Sequence, residues 1–280
     1  MSTTVNTGTA RLALLVALAA VAGAAWAAPP AASFLSPSQY TFRPGDALTL
    51  RYEVGPAQAA QPTAWPADEI EWFFVRGGGE QENRHEVRPE RADDNFIRVI
   101  VPHAGVTVLG TNRTTVLKEV TGDELRAFAE QNLAELPEAA KSLAADRKLR
   151  VRHYSSAKTF IRADDGSVEP SAIAARRTGQ KVELRPLFDA TVAHVGSDLA
   201  LFAYVDGAKQ PGALVRATHV ASGKFQTLTT DAEGSGHFRI DATGAWRVEF
   251  HKLVPPDGNA GANWVLYTGT LSFEVKGAAQ

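Results

Sequence analysis

The sequence predicts a mainly β protein: two antiparallel Ig-like β-sandwiches with a short helical insertion between them. Three observations carry this. Short runs of alternating apolar and polar residues recur at both ends of the chain, separated by glycine-containing turns. Helical spacing is concentrated in one stretch, from residue 121 onward. Cysteine is absent, so no disulfide staples the fold; it must rest on buried apolar surface, which 280 residues allow.

The elements follow in chain order. Arg11 precedes LALLVALAAVAGAAW, and Ala25-Trp26-Ala27 has the A-x-A pattern of a signal-peptidase site. The run is short for a membrane span, which needs ~20 residues. Residues 1–27 are therefore expected to be a cleaved secretory signal, giving a periplasmic or secreted protein. Residues 28–119 form the first expected sandwich. Within it, Pro44-Gly45-Asp46 makes a turn, and Leu48, Leu50, Tyr52 and Val54 alternate on one face. Ile70, Trp72 and Phe74 repeat the period of two, and the polar stretch 76–95 reads as a loop or exposed hairpin. NFIRVIVPHAGVTVLG supplies two more strands.

Residues 120–180 hold the insertion, a strand and a connector. Thr121 and Glu124 form a capping box, and Leu125, Phe128, Ala129, Leu133 and Leu136 recur at helical spacing. Pro137 opens a second helical piece, and strand-like alternation returns in RKLRVRHYSSAKTFI. Residues 181–276 supply ELRPLF, DLALFAYV, GALVRATHV, KFQTLTT, HFRI, AWRVEFHKL and NWVLYTGTLSFEV, which suits a sandwich of about seven strands. Residues 277–280 are a tail. The halves also parallel each other: PGDALTLRYEVG matches VGSDLALFAYVDG, and NFIRVIVPHAGVTVLG matches HFRIDATGAWRVEF. Common ancestry or shared hairpin rules would both produce this.

Composition removes several functions. A net charge of −2 gives no overall case for nucleic acid or an anionic membrane. Without cysteine there is no thiolate metal site and no cysteine nucleophile. No G-x-S-x-G elbow, H-E-x-x-H helix or Walker loop occurs. Asp164-Asp165-Gly166 is too short for an EF-hand loop.

Three of the seven histidines fall in the stretch from His219 to His251. Alternation places His237 opposite Phe238 and Ile240, and places Arg247, Glu249 and His251 opposite Trp246, Val248 and Phe250. Both His237 and His251 are thus expected on outer faces. Paired as a hairpin, the two strands could set His237 against His251, close enough to share a metal. Placed in different sheets, their outward side chains point to opposite sides. His219 ends its strand and reads as a rim residue. The metal candidates are His251, His153 and His237, though imidazole ligation needs about three convergent groups. Seven cations lie in residues 141–162 against Asp146 alone, a basic surface for an anionic ligand or partner, or a charged sheet edge.

The mature chain resembles the bacterial domain-of-unknown-function family 4198. The carriers are FLSPSQYTFRPGDALTLRYEVG, RHYSSAKTFI and GALVRATH with TTDAEGSGHFRID, GAWRVEFHKLVP and NWVLYTGTLSFEV. The C-terminal half is also similar to transthyretin-like and carboxypeptidase-regulatory-like sandwiches. The resemblance implies a periplasmic component linked to nickel or cobalt uptake, working with an envelope protein or transporter component. Members commonly carry a His a few residues before an aromatic at the start of the mature chain; here that stretch is Ala31-Ala32-Ser33-Phe34. The expectation is an exported, non-enzymatic binding protein of the cell envelope. The alternative is a protein–protein interaction module without metal; a hydrolase comes third, since no nucleophile and base stand in a known motif.

Overall fold

The computed structural model describes residues 31–66, 69–77, 96–101, 103–164, 169–256, 258 and 261–277. The expected signal segment and most of the polar stretch 76–95, including His85, lie outside them.

The protein is mainly β. In chain order the elements are β1 (Ser33–Pro37), β2 (Thr41–Phe42), β3 (Ala47–Val54), β4 (Gln61–Thr63), β5 (Ile70–Gly77), β6 (Phe96–Ile100) and β7 (Gly105–Thr121). Two helices follow, α1 (Gly122–Asn132) and α2 (Glu138–Lys141). Then come β8 (Lys148–Ala163), β9 (Val182–Pro186), β10 (Asp198–Val205), β11 (Ala208–Lys209), β12 (Leu214–His219), β13 (Phe225–Thr229), β14 (Ser235–Arg239), β15 (Gly244–Val254) and β16 (Trp264–Val275). The capping box closes as the sequence indicates: Thr121 Oγ1 accepts from Glu124 N–H, and the Glu124 carboxylate accepts from Thr121 N–H. The helix is shorter than its apolar spacing suggests. It stops at Asn132 because Leu133 turns left-handed at φ 53°.

The strands build three sheets, and this departs from two independent antiparallel sandwiches. A central eight-stranded sheet runs β13-β12-β15-β16-β8-β7-β5, with β2 also on β8. At its middle β16 lies parallel to β8, from Trp264 opposite Val151 to Ser272 opposite Thr159. Strands from both halves of the chain are thereby fused into one sheet. Its two faces are covered by two four-stranded sheets. β1, β3, β4 and β6 pack one face around Leu48, Leu50, Tyr52, Leu109 and Ile161. β9, β10, β11 and β14 pack the other around Leu199, Leu201, Trp246, Phe250 and Phe160. Phe160 and Ile161 are neighbours on β8 and serve opposite cores, as the strand period of two requires.

The two outer sheets repeat one another in register. Leu50 opposes Pro37 as Leu201 opposes Pro186. Leu50 opposes Ile97 as Leu201 opposes Gly236. Gly45 N–H donates to Val101 O, and Gly196 N–H to Ile240 O, each over 2.8 Å. The chain then enters the central sheet through Gly105 at φ 106° or Gly244 at φ 107°, a backbone that favours glycine. The internal likeness in the sequence therefore corresponds to one topology used twice.

Burial of polar faces is the second departure. Arg247, Glu249 and His251, expected to face water, are all buried. The sheet that carries them is itself covered on that side by the first outer sheet and by α1.

Candidate functional site

The site forms on the face of β15, β16 and β8 that alternation marks as polar. Glu249 and His251 stand two apart on β15, and the pairing register sets His251 against Thr268 on β16. Thr268 pairs in turn with Ser155 on β8, and His153 lies two residues before Ser155, on the same face.

The side chains form one buried chain of hydrogen bonds. Arg216 donates from Nε and Nη2 to Glu249 Oε1 at 2.6 and 2.5 Å. His251 Nε2 lies 3.2 Å from Glu249 Oε2, and its Nδ1 lies 3.1 Å from Thr268 Oγ1. His153 Nε2 approaches the same hydroxyl at 2.9 Å. The proton positions follow from what each group can do. An ionised carboxylate only accepts, so His251 carries a proton on Nε2. Thr268 Oγ1 stands between His251 Nδ1 and His153 Nε2, and a hydroxyl can donate to one ring nitrogen while it accepts from the other.

Charge and burial set the protonation. Burial, then the charges of His251, Arg113 and Lys118, push His153 down to about 3. Burial alone would raise Glu249; the hydrogen bond and charge of His251, then Arg216, overcome it and hold the carboxyl below its ordinary value. His153 is thus neutral and Glu249 ionised at neutral pH.

The surroundings seal the chain of bonds from most directions. Phe128 of α1 meets the His251 ring edge-on, with centroids 5.4 Å apart. Arg216 Nη1 donates to Gln131 O at 2.7 Å and ties the end of α1 to the site. On the other side Arg247 pairs with Glu53, donates to Ala57 O and lies over the Phe34 ring. Beside the site, β12 leaves β15 and a cleft of about 310 Å³ opens. Its walls are Glu135, Pro137, residues 210–214 and residues 250–253.

His251 and His153 are therefore brought together, and His237 is not. β14 pairs with β10 in the outer sheet, whereas β15 pairs with β12 and β16 in the central one. The hairpin register that would oppose His237 to His251 does not form, and His237 is exposed on the far side. His219 is a buried staple: Nδ1 meets Ser222 Oγ and Nε2 meets Thr243 O, each at 2.8 Å. His194 and His103 are exposed. The basic run 141–162 divides. Lys158 and Arg162 are consumed internally by Glu183 at 3.1 Å and Asp189 at 2.8 Å, while Lys141 and Lys148 meet Glu138 and Glu119.

Residue types alone did not mark Thr268, Glu249 or Arg216. The signal was present as Thr268-x-Thr270-x-Ser272, small hydroxyls at period two in an otherwise apolar strand. The sequence Thr268–His251–Glu249 has the order of a nucleophile, base and orienting acid. Thr268 is fully buried, however, with both imidazoles on its oxygen, which leaves no space for an acyl group. As a metal site the set offers two imidazole nitrogens facing one hydroxyl. Among the described residues no three His, Asp or Glu side chains are grouped to hold a metal ion.

No curated protein matches the chain. The family model described as a domain of unknown function (DUF4198) matches residues 32–252, which takes in the first outer sheet, α1, β8, His153, Glu249 and His251. The chain belongs to that family.

Proposed function

We propose that this is an exported, non-enzymatic binding protein of the cell envelope, whose ligand reaches the His153–His251 pair from the cleft bounded by Glu135, residues 210–214 and residues 250–253. One observation carries the reading: two imidazoles far apart in sequence converge on one buried hydroxyl beside a cleft, with Glu249 orienting the nearer ring. The family resemblance supplies the ligand class, a divalent transition metal such as nickel or cobalt. The protein would give it His251 Nδ1 and His153 Nε2. Water or groups brought with the metal would complete the coordination, since three or four donors are needed.

A second reading has its own support. Each imidazole nitrogen that faces Thr268 already has a hydrogen-bond partner, and Glu249 is held by Arg216. A network so complete serves equally as the buried joint of a protein–protein interaction module.

Calorimetric titration of the protein from Ala28 onward with nickel, cobalt and zinc separates the two. Micromolar binding at defined stoichiometry, lost in His251→Ala and in His153→Ala but kept in His237→Ala, supports the metal reading. Absence of binding at millimolar metal removes it and leaves the interaction module.

A further inference from the structure

The outward face of the second outer sheet carries a feature that the buried site does not use. On β10 the residues opposite the core are Asp198, Ala200, Phe202 and Tyr204. The registers set Phe202 between Arg185 on β9 and Ser235 on β14, and set Tyr204 opposite Lys209 on β11. Phe202 is thus a half-buried aromatic ring at the centre of the sheet's outward face, with Tyr204 buried beside it under Arg177. Arg185 lies over it at 5.1 Å and Lys209 at 4.5 Å. Among the described residues neither cation meets a carboxylate. One row along, Leu187 donates its N–H to Ala200 O and is exposed, with Phe188 exposed beside it.

Charge on this face runs against the molecule as a whole. The chain is net negative at −2. On the outward strand positions Arg185, Lys209 and Arg239 stand against the exposed Asp198, because Glu183 is buried and pairs with Lys158; the exposed Asp231 and Glu233 lie in the turn before β14. The ring holds both cations by cation–π attraction and leaves their charges open to an anionic group. Arginine and aromatic side chains together, with apolar neighbours, are the groups that carry binding energy at protein interfaces. Cations already stacked on a ring are held in place and lose little freedom when a carboxylate arrives.

We infer that this face, centred on Phe202, docks an acidic, partly apolar segment of another protein, with carboxylates on Arg185 and Lys209 and apolar side chains on Phe202 and Leu187. The surface lies in the second outer sheet, whereas His153 and His251 are on β8 and β15 of the central sheet, so it stands whether or not a metal binds.

The test is fluorescence anisotropy of a labelled octapeptide of alternating Glu and Leu, with its Gln-for-Glu counterpart as control. The Glu peptide binds at low salt and weakens as salt rises, and the Gln peptide does not bind. Arg185→Gln with Lys209→Gln weakens binding at least about tenfold, the scale of a lost charged contact at an interface. Leu187→Ser, on an exposed position, gives a smaller loss with the fold intact, which thermal melting checks. Equal binding of both peptides, or unchanged binding by the double variant, overturns the inference. So does binding of inorganic polyphosphate without binding of the Glu peptide, which would make the face a reader of polyanions.

Discussion

The two halves of the molecule share a topology and differ in how they bury the polar side of the central sheet. Under the second outer sheet the buried charges close as ion pairs supported by neighbouring hydrogen bonds, Lys158 with Glu183 and Arg162 with Asp189. Under the first outer sheet and α1, Arg247 pairs with Glu53 in the same manner, but the row then continues into Glu249, His251, Thr268 and His153. One interface uses Lys–Glu and Arg–Asp pairs. The other adds imidazoles, which can bind protons and metals, and places them beside a cleft. A repeat that doubles a scaffold leaves one copy free to depart from it, and the departure marks the candidate site.

The comparison can be broken most forcefully at the ion pairs. Burial alone would raise Glu183; Lys158, then hydrogen bonds from Thr178, hold it below its ordinary value. Glu183→Gln removes the carboxylate that neutralises the buried Lys158 ammonium, and should cost ~3–5 kcal/mol in urea unfolding. Replacing both partners with Met should recover most of that loss.

The histidine interface should respond instead to acid. His153 is held down at about 3 in the folded protein against an ordinary value of 6.5. The unfolded chain therefore binds the extra proton between those values, and stability falls as pH drops from about 6.5 toward 3. The carboxyls of Glu249 and Glu183, also held low, add losses in the same direction below about 4.5. Melting temperature should decline through this window, and His153→Gln should flatten its upper part. An equal slope in that variant would show that His153 does not govern the response.

Removing the shared hydroxyl is a milder change. Thr268→Val deprives both imidazoles of a partner and should cost ~1–3 kcal/mol. It leaves the two nitrogens in place, so metal binding, if present in the parent, should persist in calorimetry.

The smallest contrast lies at the repeated glycines. Both Gly105 and Gly244 need positive φ, so alanine at either should cost ~1–2 kcal/mol. At Gly244 a Cβ would also stand 3.3 Å from His219 Nε2, whereas at Gly105 it meets nothing within 4 Å. Gly244→Ala should therefore melt lower than Gly105→Ala.

Much of the fold was legible because strands declare themselves locally. The seven C-terminal runs became strands, and Thr121 capped its helix through Glu124. The β8–β16 pairing was not legible, since nothing local in RVRHYSSAK and NWVLYTGTL says that they lie side by side. The polar face of β15 was misjudged for a related reason. Alternation separates two faces but does not tell water from a second layer of protein, and Arg247 finds Glu53 only after the halves join. His153 and His251 were legible as histidines in matching segments. Their meeting point, Thr268, depends on the same long-range register.

The parallel β8–β16 pairing also bears on how the chain reaches its native state. Among the described residues β16 follows every other strand in sequence, yet it lies at the middle of the central sheet, between β8 and β15. Its partners on β8 are over a hundred residues upstream, a loop whose closure comes late. Until β16 emerges, β8 and β15 keep open edges and the central sheet stays in two pieces. Among the described residues the last strand in sequence is thus the keystone that joins the two pieces of the central sheet.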